Sequence, residues 1–466
     1  MARGSMLASM RVLLISANRE RYPAPVVPLG VLSVAGAVRD AHAVRVVDLC
    51  FEEEPLRAAG EAAASFRPDV IGLGLRNLHD NAYGSSEPLL AYYEDVARAI
   101  RAASRAPLVL GGAAITLQPS GLLARLGADH AVVGEGELAF RALVSGIDRG
   151  ERPPRVVRSA VAERRLVQLD AKLGLRAPPV PASDLDALAP PARDLADPRY
   201  FDVDGTESFQ TKRGCAFHCA YCDYPDLEGR KVRLRDPERV ADEIAERARV
   251  PGVSYAFLVD SVFNVPRAHA LAVCAALERR GAPLPWVCYA TPATLDDELV
   301  AAMRRAGCAG AELGTDTGTP RVLARLRKPF DLDDVRRVRA SFLRHGIADA
   351  HSFVLGAEGE TVEEAEGTLA FVRELDPDVA VFVVFMEDRE ERATGRAPHH
   401  EALLELLARE APKHPGWIVP ELGIRFGEKV RRLVAGRRLR GPAWLHLAAA
   451  RRRAAGRANE RGPVRS

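Results

Sequence analysis

The chain has 466 residues, with 65 Lys and Arg against 63 Asp and Glu and a formal net charge of +2. That balance gives no bulk-charge argument for nucleic acid, and no nucleic-acid partner is predicted. A 47% hydrophobic share beside 27% charged residues excludes a mostly disordered chain, and no apolar run approaches the roughly 20 residues of a membrane helix.

The length predicts two or three domains. The first ten residues lack a signal-peptide pattern, so a cytoplasmic location is expected.

In chain order, residues 12–16 read as a buried strand, 28–37 as a helix, 44–48 as a strand, 53–66 as a helix and 69–75 as a strand ending in Arg76-Asn77. Residues 92–103 follow as a helix, 107–112 as a strand ending in Gly111-Gly112, and 131–134 as a strand running into Gly134-Glu135-Gly136-Glu137. Short apolar strands alternating with helices predict a doubly wound, Rossmann-like parallel sheet, with ligands outside the carboxyl ends of its strands. Arg76, Asn77, Gly111, Gly112, Gly134 and Glu135 all fall at such ends. A Pro- and Arg-rich stretch follows, read as a connection with a small hairpin near 155–169.

Alternation returns with strands at 254–260, 286–290, 310–314, 350–356 and 378–386, and helices at 266–280, 296–306, 331–345 and 361–375. These units predict a partial (β/α)6-type barrel with its site at the C-terminal strand ends. Past residue 387 the pattern reads as helical and without strands, and the arginine-rich end, 437–466, as a solvated helix with a frayed tail. The expected boundaries are 1–147, 148–204 as a linker, 205–390 for the barrel and 391–466 for a helical extension with a basic tail.

Seven cysteines in a chain this long are no disulfide scaffold. Cys50, Cys274, Cys288 and Cys308 are scattered, whereas Cys215, Cys219 and Cys222 share one short segment. Three thiolates on one loop can hold three irons of a [4Fe–4S] cluster and leave the fourth iron open. Structural zinc, with His218 as a fourth ligand, is the competing reading.

The C-x3-C-x2-C spacing, with aromatic Tyr221 just before the last cysteine, resembles the signature of the radical S-adenosylmethionine (SAM) enzymes. The resemblance covers residues 205–390. It implies that Cys215, Cys219 and Cys222 hold the cluster and that its open iron is chelated by the amino and carboxylate groups of SAM. One electron then cleaves the sulfonium and releases a 5′-deoxyadenosyl radical. The segment from Glu312 to Pro320 is similar to the family's fourth-strand end, implying that Glu312 and Asp316 touch the cofactor's ribose or amino group. Asp260 to Asn264 resembles the second-strand end near the amino group of SAM. A Gly-x-Arg-x-Tyr-Pro-like turn after the sixth strand, common in relatives, is absent.

A doubly wound domain ahead of such a barrel resembles the cobalamin-binding branch of that family. The segments at 69–77, 111–119, with Thr116, and 133–137, with Gly136, match its recurring pieces. The Asp-x-His-x-x-Gly motif of cobalt-ligating relatives is absent, so His130 is read as a packing or surface histidine. Arg76 resembles an arginine that fills the lower cobalt face in a methylase of that branch; a salt-bridged arginine is the other reading.

These resemblances imply three cofactors: a [4Fe–4S] cluster, SAM and cobalamin. They imply a C-methyltransferase acting on an unactivated carbon of a small molecule or natural-product intermediate. A non-methylating rearrangement or cyclisation, with a first domain that need not bind cobalamin, is the alternative, and a non-enzymatic metal-holding protein a third reading. An electron donor such as flavodoxin or ferredoxin is the expected protein partner.

Overall fold

The computed structural model describes residues 9–21, 24–78, 87–162, 179–181, 184–389, 392–396, 399–422, 424 and 440–460. Residues 163–169 of the expected hairpin at 155–169 lie outside them, as do 461–466 of the basic tail.

The chain opens with β1 (Arg11–Ser16), α1 (Leu29–Val38), β2 (Ala43–Asp48), α2 (Pro55–Phe66), β3 (Val70–Gly74) and α3 (Glu87–Ala103). Then come β4 (Leu108–Gly111), α4 (Ala113–Leu117), α5 (Pro119–Arg125), β5 (His130–Val133), α6 (Gly136–Asp148) and β6 (Val156–Arg158). The six strands form one parallel sheet ordered β2-β1-β3-β4-β5-β6. β1, β3, β4 and β5 are buried on both faces, which is why they read as apolar runs, while the edge strand β2 is partly exposed. Leu13, Ile15, Ile71 and Leu110 face α2 and α3, while Leu14, Val70, Val109 and Val132 face α1 and α6. The strand order reverses at β1, between β2 and β3, which sets a ligand-binding crevice at the strand ends there. The sheet does not stop at 147, because β6 pairs in parallel with β5 inside the stretch expected as linker.

A short helix, α7 (Arg199–Val203), leads into β7 (Thr206–Phe209). The cysteine loop is then clipped at its base by the antiparallel pair β8 (Lys212–Arg213) and β9 (Arg233–Leu234), with α8 (Tyr224–Glu228) between them. The barrel continues with α9 (Pro237–Arg247), β10 (Tyr255–Leu258), α10 (Arg267–Arg279), β11 (Trp286–Ala290) and α11 (Asp297–Arg305). Next are β12 (Cys308–Asp316), α12 (Pro320–Arg325), α13 (Leu332–His345), β13 (Ala348–Leu355), α14 (Val362–Leu375) and β14 (Val379–Val384). Local chemistry fixes the helix starts. Asp331 with Asp334, and Thr361 with Glu364, form reciprocal capping boxes that satisfy otherwise orphaned backbone N–H groups.

All strands of this second sheet are parallel, in the order β17-β14-β13-β12-β11-β10-β7, with β17 at Trp417–Ile418. Six strands in chain order make the expected partial barrel. The reading of the chain past residue 387 as strandless is corrected twice. A hairpin of β15 (Met386–Arg389) and β16 (Arg392–Arg396) follows β14, and β17 returns to extend the sheet after α15 (His400–Glu410). Strands this short carry too little periodicity to stand out in sequence.

The last helix, α16 (Ala443–Glu460), is not a solvated appendage. Its Trp444 and Ala448 pack with Val287, Ala348, Ala350 and Val379 on the inner face of the barrel sheet. Gly310 leaves the space for it, since a Cβ there would lie 2.4 Å from the Trp444 indole. Arg452 donates to Asp378 at 2.8 Å and to the Ile347 carbonyl, and Arg451 reaches the Asp378 carbonyl. The arginines thus clamp the helix to the N-terminal ends of β13 and β14. Among the described residues no helix is long and apolar enough to cross a membrane.

Candidate active site

The loop carrying Cys215, Cys219 and Cys222 is held from four sides. At its start, Asp260 is fully buried and accepts hydrogen bonds from the Thr211 N–H (2.7 Å), the Thr211 hydroxyl (2.6 Å), the Lys212 N–H and the Lys212 ammonium (3.2 Å). Both of its oxygens are therefore taken. The expected contact of Asp260 with SAM is replaced by a positioning role at the base of the loop. Gly214 follows at φ +96°, and a Cβ there would meet the Lys231 carbonyl at 2.4 Å, so only glycine fits. The Gly214 N–H donates to Glu228 and the Cys215 N–H to the Gly229 carbonyl. Further along, the Ala220 N–H donates to the Leu326 carbonyl at the end of α12.

Tyr221 ties the loop to the strand end, its hydroxyl donating to Asp316 at 2.7 Å. Asp316, buried and in the left-handed region at φ +66°, also pairs with the Lys328 ammonium at 2.7 Å. Through that one carboxylate oxygen Asp316 orients both Tyr221 and Lys328 beside the cysteine loop. Lys328 was not singled out in the sequence; only its nearness to the fourth-strand segment could have drawn attention. Its ammonium stands 5.8 Å from the Tyr221 ring centre, and its charge opposes the upward shift of Cys219 and Cys222.

All three loop cysteines are free. Burial raises the Cys219 thiol and pushes Cys222 up to about 11, with the neighbouring thiols adding to the rise. Each must release a proton on binding iron. Cys219 feels the charge of Cys215, and Cys222 those of Cys215 and Cys219, so the three thiols are near neighbours on the loop. Among the described residues no group of three His, Cys, Asp or Glu closes around a single ion. A cube takes one iron per thiolate, so three neighbouring thiols on one loop fit a cluster. His218 is engaged elsewhere, 2.9 Å from Arg230.

The second part of the site is a cavity of about 440 Å³ between the two sheets. Arg76, Gly111, Gly112, Thr116, Gly134, Glu135 and Gly136 line it, as the strand-end argument expects. Asn77 is not among the lining residues, and its carbonyl accepts the Tyr93 hydroxyl at 2.9 Å. The cavity runs down the sheet face under α1, past Leu14, Gly72 and Val109. A Cβ on Gly111 or Gly30 would meet nothing within 4 Å, so the protein's own packing does not demand glycine there. The bare backbone leaves room for a large flat ligand, and the residues fit cobalamin. Gly112 is different: at φ +102°, a Cβ would meet the Leu75 carbonyl at 2.4 Å. Thr116 joins the strand ends, donating to the Gly112 carbonyl (3.1 Å) and accepting the Gly134 N–H (3.0 Å).

Arg76 is exposed and makes no ion pair among the described residues, which leaves the salt-bridged reading without a partner there. Its charge reaches Tyr93, Tyr224 and Tyr289, so it stands between the first sheet and the barrel. His130 lies at the outer end of β5, against the Pro154 carbonyl at 3.0 Å.

Cavity and cysteine loop are joined by ion pairs that the sequence did not reveal. Arg213 donates to Glu137 (2.7 Å) and Glu135 (3.2 Å), and Arg233 donates to Glu135 (2.9 Å). Burial alone would raise Glu137, but the Arg213 guanidinium overrides it and holds the carboxyl below its usual value. Glu135 is thus bound to the barrel side, not free for a ligand. Tyr224, Leu227 and Glu228 of α8, which begins two residues after Cys222, line the cavity as well.

This pairing of a glycine-lined crevice with a three-cysteine loop is the site of a radical SAM enzyme that carries a cobalamin-binding domain. The family model for the B12 binding domain matches residues 15–144, and that for the radical SAM superfamily matches residues 209–372. The cofactors are a [4Fe–4S] cluster, SAM and cobalamin. The chain is 26% identical over 365 residues to an uncharacterized methyltransferase of Pyrococcus horikoshii, covering 77% of this chain and 75% of that protein. It is 27% identical over 440 residues to the tryptophan 2-C-methyltransferase of Streptomyces laurentii, covering 81% and 72%. It is also 27% identical over 262 residues to the anaerobic magnesium-protoporphyrin IX monomethyl ester cyclase of Rubrivivax gelatinosus, covering 55% and 47%. The fold is similar to that of the radical SAM methyltransferase TsrM from Kitasatospora setae, solved with cobalamin and a [4Fe–4S] cluster. The TM-score is 0.78 at 21% identity, covering 97% of this chain and 100% of that one.

Proposed function

We propose that the protein is a C-methyltransferase that moves the methyl group of SAM to a carbon of a small organic molecule. The observation that carries this reading is the cavity between the sheets, whose wall includes the helix that begins two residues after Cys222. When bound, the cluster and SAM supply one-electron cleavage and cobalamin supplies a transferable methyl group.

The chain's own residues bind, orient and enclose. Cys215, Cys219 and Cys222 hold three irons. Tyr221, fixed by Asp316, closes one side of the SAM site, and Lys328 presents a positive charge there. Gly111, Gly112, Gly134 and Gly136 would offer bare backbone to cobalamin, and Arg76, at the strand end, would present a positive charge to it. The Glu135, Glu137, Arg213 and Arg233 network holds the two sheets together and keeps water from the space between them. Reduced flavodoxin or ferredoxin serves as electron donor, and the free thiols suit the reducing cytoplasm.

The test is anaerobic incubation of the loaded enzyme with SAM carrying a deuterated methyl group and a small-molecule panel, read by mass spectrometry. S-Adenosylhomocysteine together with a product heavier by one labelled methyl supports the reading. The match to a ring-forming cyclase favours a second one, cyclisation without methylation, for which 5′-deoxyadenosine would appear with no labelled product.

A further inference from the structure

Glu312 stands apart from the machinery described so far. It lies mid-strand on β12, in register with Tyr289 of β11 and Ala350 of β13. Registered residues of parallel strands share a face, and Ala350 belongs to the inner face that packs on α16. The Trp444 indole fills the space at Gly310, two residues below, and its N–H donates to the Glu312 carboxylate at 2.8 Å. Tyr289 stands beside it, its ring 5.0 Å from Phe257, and feels the charges of both Glu312 and Arg76. The next inward position up the strand is Gly314, where a Cβ would meet only Asp316 and Lys328, each at 3.6 Å. Above Trp444 the inner face of the barrel thus carries a carboxylate and two aromatic rings, all half-buried, on the side facing Arg76 and the cysteine loop.

Glu312 has no cation among the described residues, and its one partner there is the Trp444 N–H. An unpaired carboxylate in such a place is costly unless a ligand supplies the cation. Burial pushes it up to about 7, as expected for a group still waiting for its counter-charge.

We propose that Glu312, seated on the C-terminal helix by Trp444, anchors the substrate, and that the substrate is a small arylalkylamine whose ammonium pairs with this carboxylate while its ring lies against Tyr289 and Phe257. This rests on the methyltransferase reading, because it assigns the barrel interior to the methyl acceptor. It gives Glu312 a different role from the SAM contact that the resemblance implied.

The test is anaerobic titration calorimetry on the full-length enzyme loaded with cluster, cobalamin and SAM, using tryptamine and indole-3-propionate as probes of equal ring and opposite charge. Iron, cobalt and SAM loading are measured first. Wild type should prefer tryptamine by about tenfold or more. Glu312→Gln, which keeps an acceptor for Trp444, should abolish that preference without weakening indole-3-propionate. Equal affinities, a preference that survives in Glu312→Gln, or no tryptamine binding by normally loaded enzyme would overturn the proposal. Failure to load cobalamin or SAM would instead overturn the functional reading beneath it.

Discussion

Replacing Arg213 with Met removes the cation that bridges the first sheet and the base of the cysteine loop. The Glu137 carboxylate is 6% exposed and has its closest contact, at 2.7 Å, with Arg213. Glu135 retains Arg233, so most of the cost falls on Glu137. Removing one member of a buried pair typically costs 3–5 kcal/mol. The Arg233 charge, still felt at Glu137, brings the expectation to about 3 kcal/mol, or roughly 6–12 °C in melting temperature for a domain of this size. Glu137→Gln in the Arg213→Met background should restore about half of that loss, with a coupling energy near 2 kcal/mol. The assay is urea unfolding of the full chain followed by near-ultraviolet circular dichroism. Because the folded Glu137 lies below its unfolded value of 4.5, the stabilisation is complete above pH 4.5. It fades as pH falls through the folded value. The wild-type advantage over Arg213→Met should therefore shrink in acid. A loss below about 1 kcal/mol with additive mutations would refute the reasoning, since independent sites add within about 0.5 kcal/mol.

Three further outcomes are expected. Asp260→Ala leaves the Lys212 ammonium buried with only the Phe263 carbonyl beside it, so stability should fall by about 3–5 kcal/mol and iron retention should collapse; Asp260→Asn should keep more iron, measured colorimetrically. Gly111→Val adds a side chain where no protein atom lies within 4 Å, so the melting temperature should stay near wild type while bound cobalt is lost; a variant that keeps its cobalt would remove Gly111 from the cobalamin site. Glu312 is raised from 4.5 to about 7 in the folded chain. The native state holds its proton longer than the unfolded one, so its contribution declines between pH 4.5 and 7 by roughly 3 kcal/mol and then levels off. Glu312→Gln should flatten that part of the stability profile, and an unchanged slope would contradict the burial argument.

The sequence made the periodic parts of the fold legible. Buried parallel strands such as residues 12–16 and 69–75 are apolar runs between helices, and their order along the chain implies a doubly wound sheet. The cysteine spacing and the glycines at strand ends were legible because each serves a local requirement: thiolates on one loop, backbone close to a ligand. Contacts that join distant segments left no such trace. Arg213 finds Glu137 across 76 residues, and Trp444 finds Glu312 across 132. Asp260 and Asp316 show the same limit from the other side. Their positions at strand ends were legible, but their partners, Lys212 and Lys328, were not, and with them the part each carboxylate plays in orienting the loop. The basic tail misled because charge runs usually face solvent, whereas Arg451 and Arg452 reach backbone carbonyls at the foot of the barrel.

The central claim is that one chain holds a cluster on three cysteines and cobalamin in a separate crevice. Its most direct test is iron and cobalt content after anaerobic reconstitution with hydroxocobalamin, in wild type and in a variant with Cys215, Cys219 and Cys222 changed to Ala. The account predicts about four irons and one cobalt per wild-type chain, with iron lost and cobalt kept in the variant. Iron that survives the three substitutions, or wild-type protein that binds zinc in place of iron and retains no cobalt, would contradict it.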